Sequence, residues 1–244
     1  MNTRIPTVVA MGLREFRRTP VLLGLLVVLP MYFIGGFMYI MPTTTLPVSI
    51  AGERVTVEMA SFFAALMTPI TAGLLSGIVG LFLMHTSAEA DDRLRLAGVR
   101  SSELVLSRVS LLGIGGLLVS GASLAVVLVG FTPASIPGFV AGTVMAALTY
   151  GILGVIVGVL LDRLSGVYVM LFTPTVDMLL FQNPLATNPP SWVEFLPGYF
   201  VTKATMDAAF APGVDGGYFV GGIGYLLILV VVGTAVFYRV MTVN

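Results

Sequence analysis

The chain has 244 residues, 57% of them hydrophobic and 10% charged, with a mean hydropathy of +1.02. That composition excludes a soluble globular domain, and zero formal net charge leaves no basic stripe to neutralise nucleic-acid phosphates. Cysteine is absent, which excludes disulfides, thiolate metal sites and thiol nucleophiles.

From Ile5 to Arg18, apolar Val8, Val9, Met11, Leu13 and Phe16 alternate with Arg14, Glu15, Arg17 and Arg18, and Thr19-Pro20 breaks the pattern. This predicts a helix lying on the cytoplasmic membrane surface, with Arg14, Arg17 and Arg18 toward headgroups and Phe16 toward lipid. A signal peptide fits less well, because the apolar run that follows extends for a full span.

Crossing a hydrocarbon core takes about 20 apolar residues as helix, and six stretches meet that length: Val21–Met41, Met59–Met84, Val109–Gly130, Gly138–Leu161, Ser165–Phe181 and Tyr218–Tyr238. Each must be helical, since a backbone amide in lipid needs a partner within its own segment. With a cytoplasmic N-terminus, ten arginines fall inside against Arg54 and Lys203 outside. Both termini and the loop between the second and third spans are therefore expected in the cytoplasm of a prokaryotic cell, and the connections 42–58, 131–137 and 182–217 outside. The expected fold is an all-α integral membrane protein, one transmembrane domain over 1–244. Its parts are an interfacial helix at 1–19, a charged cytoplasmic loop at 85–108 and an outer connection at 182–217.

The cytoplasmic loop carries nine titratable groups: His85, Glu89, Asp91, Asp92, Arg93, Arg95, Arg100, Glu103 and Arg108. Ser87 can cap a short helix with Glu89, Asp91 and Asp92 early and Arg93 and Arg95 late, the order a helix dipole favours. Gly98 is placed to end it, and a second helix is expected from Ser101 or Ser102 into the third span. Such a concentration of charge marks a contact with a soluble partner, or a solvated loop obeying the positive-inside rule.

Asp177 falls in the outer half of the fifth span, beyond a kink expected at Pro174. A charge there must face protein, water or the mouth of a pathway. A role in substrate passage, a pair with Lys203, a shallower helix end and an interspan hydrogen bond all remain open. In the outer connection, prolines at 184, 189, 190 and 197 break up a segment whose Phe195, Tyr199 and Phe200 suit the outer leaflet. Gly73 with Gly77, Gly154 with Gly158 and Gly217 with Gly221 have the spacing that lets helix backbones approach. Phe33, Tyr39, Phe62, Phe63 and Met67 are candidates for an apolar lateral groove. There is one histidine and no HExxH, GxSxG or phosphate-binding GxxxxGK[ST] sequence, so neither hydrolytic chemistry nor ATP hydrolysis is expected of this chain alone, and no metal site is expected.

Glu89, followed by the stretch from Leu94-Arg95-Leu96-Ala97-Gly98 to Arg108, resembles the cytoplasmic loop of type-2 ABC exporter permeases. Arg17-Arg18-Thr19-Pro20, the six spans and the long outer connection are similar to that family too. In two details the stretch departs from it: Gly98 stands where proline is common, and no glycine lies between Ala90 and Arg93. The resemblance implies a permease subunit of the cytoplasmic membrane whose loop 86–99 is a coupling helix. In that role Glu89, Asp91, Asp92, Arg93, Arg95, Leu96 and Gly98 dock on a separate ABC ATP-binding subunit, which holds the ATP and Mg. It also implies short re-entrant helices before the last span, with Asp177, Phe195, Tyr199 and Phe200 on the pathway or its gate. A second permease copy is the expected partner in the bilayer, and a hydrophobic or amphiphilic substrate fits the scarcity of intramembrane charge. The competing expectation is a membrane anchor or assembly module that docks a cytosolic protein through loop 86–108.

Overall fold

The computed structural model describes residues 20–50, 53–96, 101–186, 190–211, 213 and 215–243. Five helical segments are long and apolar enough to cross a membrane: Met59–His85, Arg108–Val127, Ile136–Leu160, Arg163–Phe181 and Gly216–Val236. These make the chain a multi-pass membrane protein. The first expected span is helical as well, over Pro20–Ile40, and is not among these five. The interfacial helix expected at 1–19 lies outside the described residues.

In chain order, α1 (Pro20–Pro30), a π-helical turn (Met31–Gly35) and α2 (Gly36–Ile40) lead to strands β1 (Thr45–Ile50) and β2 (Glu53–Glu58). The helices α3 (Met59–Leu96), α4 (Ser101–Val127), α5 (Ile136–Leu160) and α6 (Arg163–Thr175) follow. A π-helical segment (Val176–Phe181), a 3-10 turn (Ser191–Phe195), α7 (Gly198–Phe210) and α8 (Gly216–Val243) complete the fold. Both π segments come just after a proline, Pro30 in one case and Pro174 in the other. A proline has no amide to close the turn and its ring pushes on the preceding carbonyl, so a widened turn re-satisfies the ladder. The kink expected at Pro174 takes this form.

The fold is mostly helical, compatible with the all-α expectation, and adds one hairpin that was not expected. β1 and β2 pair antiparallel, with Thr45 opposite Glu58 and Ile50 opposite Glu53. Leu46, Val48, Ile50, Val55 and Val57 share one face, and Val48, Ile50 and Val57 are buried in the main core. Thr45, Pro47, Ser49, Arg54, Thr56 and Glu58 on the other face are exposed. A connection in water has no lipid to force it helical, and this period-2 pattern buries apolar area best as a half-buried hairpin.

The centre of the bundle is α3. Of its most apolar stretch 89% is buried within the protein, against 17% for α8, whose Val220, Ile223, Leu227, Ile228 and Val231 face outward. The most extensive packing is between α3 and α5, with α4, α6 and α7 also against α3. Glycine makes this possible. A Cβ added at Gly154 would fall on the Gly77 carbonyl, and one at Gly80 on the Gly151 carbonyl, so the two backbones touch. Gly77 and Gly154 were expected in such a role, whereas Gly80 and Gly151 carry no flag in the sequence. Gly217 takes no part, its nearest neighbour being the Asp215 side chain, and Gly221 and Gly222 receive Phe200 and Met145 instead.

The connections are pinned by caps. Ser135 accepts from the Gly138 amide at the start of α5 (3.3 Å), and Asp162 accepts from the amides of Leu164 and Ser165 at the start of α6 (3.1 and 3.2 Å). Hydrogen bonds from Ser165 hold the Asp162 carboxyl below the usual carboxylate range. The Arg163 guanidinium lies 4.2 Å from the centre of the Phe82 ring, tying α6 to α3 at the same end.

Gly154→Val should drive a side chain into the α3 backbone and cost about 1–3 kcal/mol, as overpacking does. Thermal unfolding in nanodiscs is expected to fall by about 2–4 °C for each kcal/mol. Gly121→Ala, whose Cβ meets nothing within 4 Å, should leave the transition in place.

Candidate functional site

The most elaborate polar arrangement among the described residues is built on Asp177, in the π segment that follows α6. Its side chain is only 5% exposed. The Tyr150 hydroxyl on α5 donates to Asp177 Oδ2 at 2.7 Å, and the Gly198 amide, first of α7, donates to the same oxygen at 2.8 Å. Gln182 Nε2 lies 3.4 Å from Oδ1 and donates to the Val193 carbonyl at 2.8 Å. One carboxylate thus joins α5, the end of α6, the 3-10 turn and the start of α7. The interspan hydrogen bond, one of the readings open for Asp177, is made, and Lys203 is not its partner.

Each contact needs its neighbours. Tyr150 is fully buried because Gly73 on α3 leaves room for its ring, where an added Cβ would lie 2.6 Å from Cδ2. Gly198 has no Cβ because one would come within 2.9 Å of both Asp177 Cγ and Oδ1. The widened π turn lets Gln182 bond back to Asp177 through its backbone amide too, at 2.9 Å. Unpaired amides open the N-terminus of any helix, and a carboxylate there satisfies one of them and complements the helix dipole.

α7 is a buried helix, not one lying on the surface. Val201, Ala204, Met206, Ala208 and Ala209 are buried, and it packs on α5, α3, α8 and β1. At its far end the amides of Ala134 and Ser135 donate to the carbonyls of Ala209 and Ala208, at 2.9 and 2.8 Å. Both ends of α7 are therefore fixed, one by Asp177 and the other by the connection between α4 and α5.

The three aromatic residues expected beside Asp177 go to different places. Phe200 fills the space left by Gly221, between α7 and α8. Tyr199 meets Phe200 and Tyr218 edge-on, at 5.1 and 6.5 Å between ring centres, and partial burial followed by the Glu194 carboxylate raises its phenol above the ordinary value. Phe195 is 80% exposed, outside the cluster, although its carbonyl accepts from the Tyr225 hydroxyl at 3.3 Å. Tyr150, Gln182 and Gly198 were missed in the sequence, and nothing in their local pattern singles them out.

At the opposite end of the bundle, α3 continues without a break through Ser87 to Leu96. The separate capped helix expected there is instead an extension of α3. A helix already running through Ser87 needs no new N-cap, because its amides bond to carbonyls one turn back. The helix carries Glu89, Asp91, Asp92, Arg93, Arg95 and Leu96, whose side chains lie outside the described residues, as do Gly98 and Arg14, Phe16, Arg17 and Arg18. The next described helix, α4, runs from Ser101.

The expected lateral groove is not formed by Phe33, Tyr39, Phe62, Phe63 and Met67. Phe62 and Met67 are buried in the core, while Tyr39 is 91% exposed. An apolar cavity of about 300 Å³ lies elsewhere, on α5 between α4 and α8, with Leu112, Leu148, Ile152, Leu226 and Val230 among its walls. Among the described residues no group of three or more His, Asp or Glu could hold a metal ion.

No family model matches the chain, and no curated protein matches it.

Tyr150→Phe should leave the buried carboxylate short of a donor and cost about 1–3 kcal/mol. Asp177→Leu should cost less in that background than alone, with a coupling of about 0.5–3 kcal/mol. Unfolding can be followed by the single tryptophan, Trp192, whose ring packs against Phe181 at 5.1 Å. Strictly additive losses would mean that the two side chains do not interact.

Proposed function

We propose that this chain is the permease subunit of an ATP-driven ABC exporter, moving a hydrophobic or amphiphilic substrate across the cytoplasmic membrane of a prokaryote. ATP hydrolysis then belongs to a separate ATP-binding subunit. The observation that carries this reading is the continuity of α3. The helix continues past the apolar run that ends at Met84, from His85 to Leu96, for about 18 Å at 1.5 Å per residue. That extension holds Glu89, Asp91, Asp92, Arg93 and Arg95. A load applied there reaches the most buried helix of the bundle with no flexible joint between.

Two further features support it. The arginine distribution favours a cytoplasmic side for the extension and both termini, where an ATPase would meet it. At the other end, α7 is a short buried helix held by Asp177 at its start, a suitable closure for a pathway. In this reading Asp177, Tyr199 and Phe200 belong to the gate region, Phe195 lies at its rim, and a second permease copy completes the pathway.

The test is co-purification with the ATP-binding subunit encoded next to this chain, comparing wild type with Glu89→Arg and Arg95→Glu. The intact loop should retain the ATPase, and each reversal should weaken retention about tenfold, equal to about 1.4 kcal/mol, with an unchanged unfolding transition of the permease. Failure of the wild type to retain any ATPase in detergent or nanodiscs would leave the anchor or assembly module as the better account.

A further inference from the structure

The cavity on α5 between α4 and α8 shares no side chain with the Asp177 cluster and opens toward the end of the bundle at Arg108. Its walls are almost wholly apolar, and its volume of about 300 Å³ is at the lower end of the range for small-molecule sites. Water has no reason to fill it, because an ordered water needs two or more polar partners. It runs along α8 from Leu226 to Thr234, about 12 Å at 1.5 Å per residue. The slot is open to the side. Val109, Leu117 and Leu118 on α4 and Leu227 and Val231 on α8 are exposed along its flanks, so the medium at its mouth is the bilayer itself.

One end of the slot is charged. Arg108 lines it directly before the apolar run of α4 that starts at Val109, and its Nη1 donates to the Leu83 carbonyl on α3 at 3.0 Å, which holds the guanidinium at that level. A cation at the headgroup level with an apolar slot leading away from it has the polarity of a phospholipid. Guanidinium suits a phosphate better than it suits a zwitterionic headgroup whose own ammonium competes.

We propose that this slot is a binding site for one acyl chain of an anionic membrane phospholipid, its phosphate beside Arg108 and its chain against Leu112, Leu148, Ile152, Leu226 and Val230. The bound lipid fills the space between α4 and α8 and joins both to α5 in the leaflet at the α3 extension. It is a resident lipid site, separate from the transport pathway.

Gly113 supplies a clean test. It lines the slot, and a Cβ added there meets nothing within 4 Å, so a larger side chain can be placed at the slot wall without displacing the backbone, as in Gly113→Leu. The protein is reconstituted in nanodiscs of phosphatidylcholine doped with phosphatidylglycerol carrying a photoreactive diazirine on its acyl chain, irradiated, and mapped by peptide mass spectrometry. Labelling is expected to concentrate on Leu148, Ile152 and Leu226 and to fall at least about tenfold in Gly113→Leu. Val230→Trp, which fills the slot from α8, should act alike, and Arg108→Gln should erase the preference over a phosphatidylcholine probe. Equal labelling of the outward faces around Tyr168 and Ile228 would mean bulk lipid only and overturn the site. So would undiminished labelling in both filled variants when their unfolding transitions match wild type. Equal capture of phosphatidylcholine by the wild type would overturn the anionic assignment.

Discussion

Backbone contact between α3 and α5 is the constraint on which the other parts of the structure rest. Between helices in lipid there is no hydrophobic drive, since the surroundings are as apolar as the side chains, so close packing has to supply the attraction. Gly77 and Gly80 facing Gly151 and Gly154 bring the two axes together over about one turn. That approach sets the depth and rotation of Tyr150, one residue before Gly151, and turns its ring into the space left by Gly73. The hydroxyl then reaches Asp177, and Asp177 reaches the first amide of α7. A sequence of steric permissions given by glycine thus ends in a polar contact that seats a helix.

That polar contact answers a specific difficulty. α7 has 13 residues, about 20 Å of helix, too short to cross a hydrocarbon core of about 30 Å. A short helix buried in the bundle leaves unpaired amides at its start and unpaired carbonyls at its end, each costly where water is scarce. At the end, the amides of Ala134 and Ser135 supply donors. At the start, Asp177 supplies an acceptor, and Tyr150 and Gln182 offset the cost of burying the carboxylate by hydrogen bonding both its oxygens. Removing one partner of such an arrangement is expected to cost more than the arrangement contributes as a whole, because what is left behind is a buried unmet group.

What could be read in the sequence and what could not divide along physical lines. Length and hydropathy report on the solvent of a segment, so the spans from Met59 onward stand within a few residues of where the apolar runs place them. Pairings between distant segments leave no such trace. Asp177 stands out because a charge in an apolar run is conspicuous, but Tyr150, twenty-seven residues earlier in an uncharged run of small and apolar residues, does not. Gly198 looks like a loop glycine and is in fact the point of closest approach to a carboxylate. The hairpin at 45–58 is a different kind of omission. Leu46, Val48 and Ile50, then Val55 and Val57, alternate with polar residues around a two-residue gap containing Gly52, a pattern that predicts paired strands once it is weighed apart from the apolar runs beside it. At Ser87 the capping chemistry is sound, but a good N-cap residue does not end a helix already under way.

The continuity of α3 also bears on how the two ends of the molecule communicate if the exporter reading holds. Its extension past His85 and its glycine face between Gly73 and Gly80 belong to one helix, so a displacement imposed near Glu89 is carried to the α3–α5 contact. Because that contact is backbone against backbone, with no side chains between to absorb a shift, α5 has to move with α3. Tyr150 travels on α5, while Asp177 sits beyond Pro174 in a widened turn that can yield independently of α6. The Tyr150–Asp177 bond is therefore the point where a rigid pair of helices meets a compliant segment. A push from the far end is either passed on to α7 through that bond or ends there by breaking it.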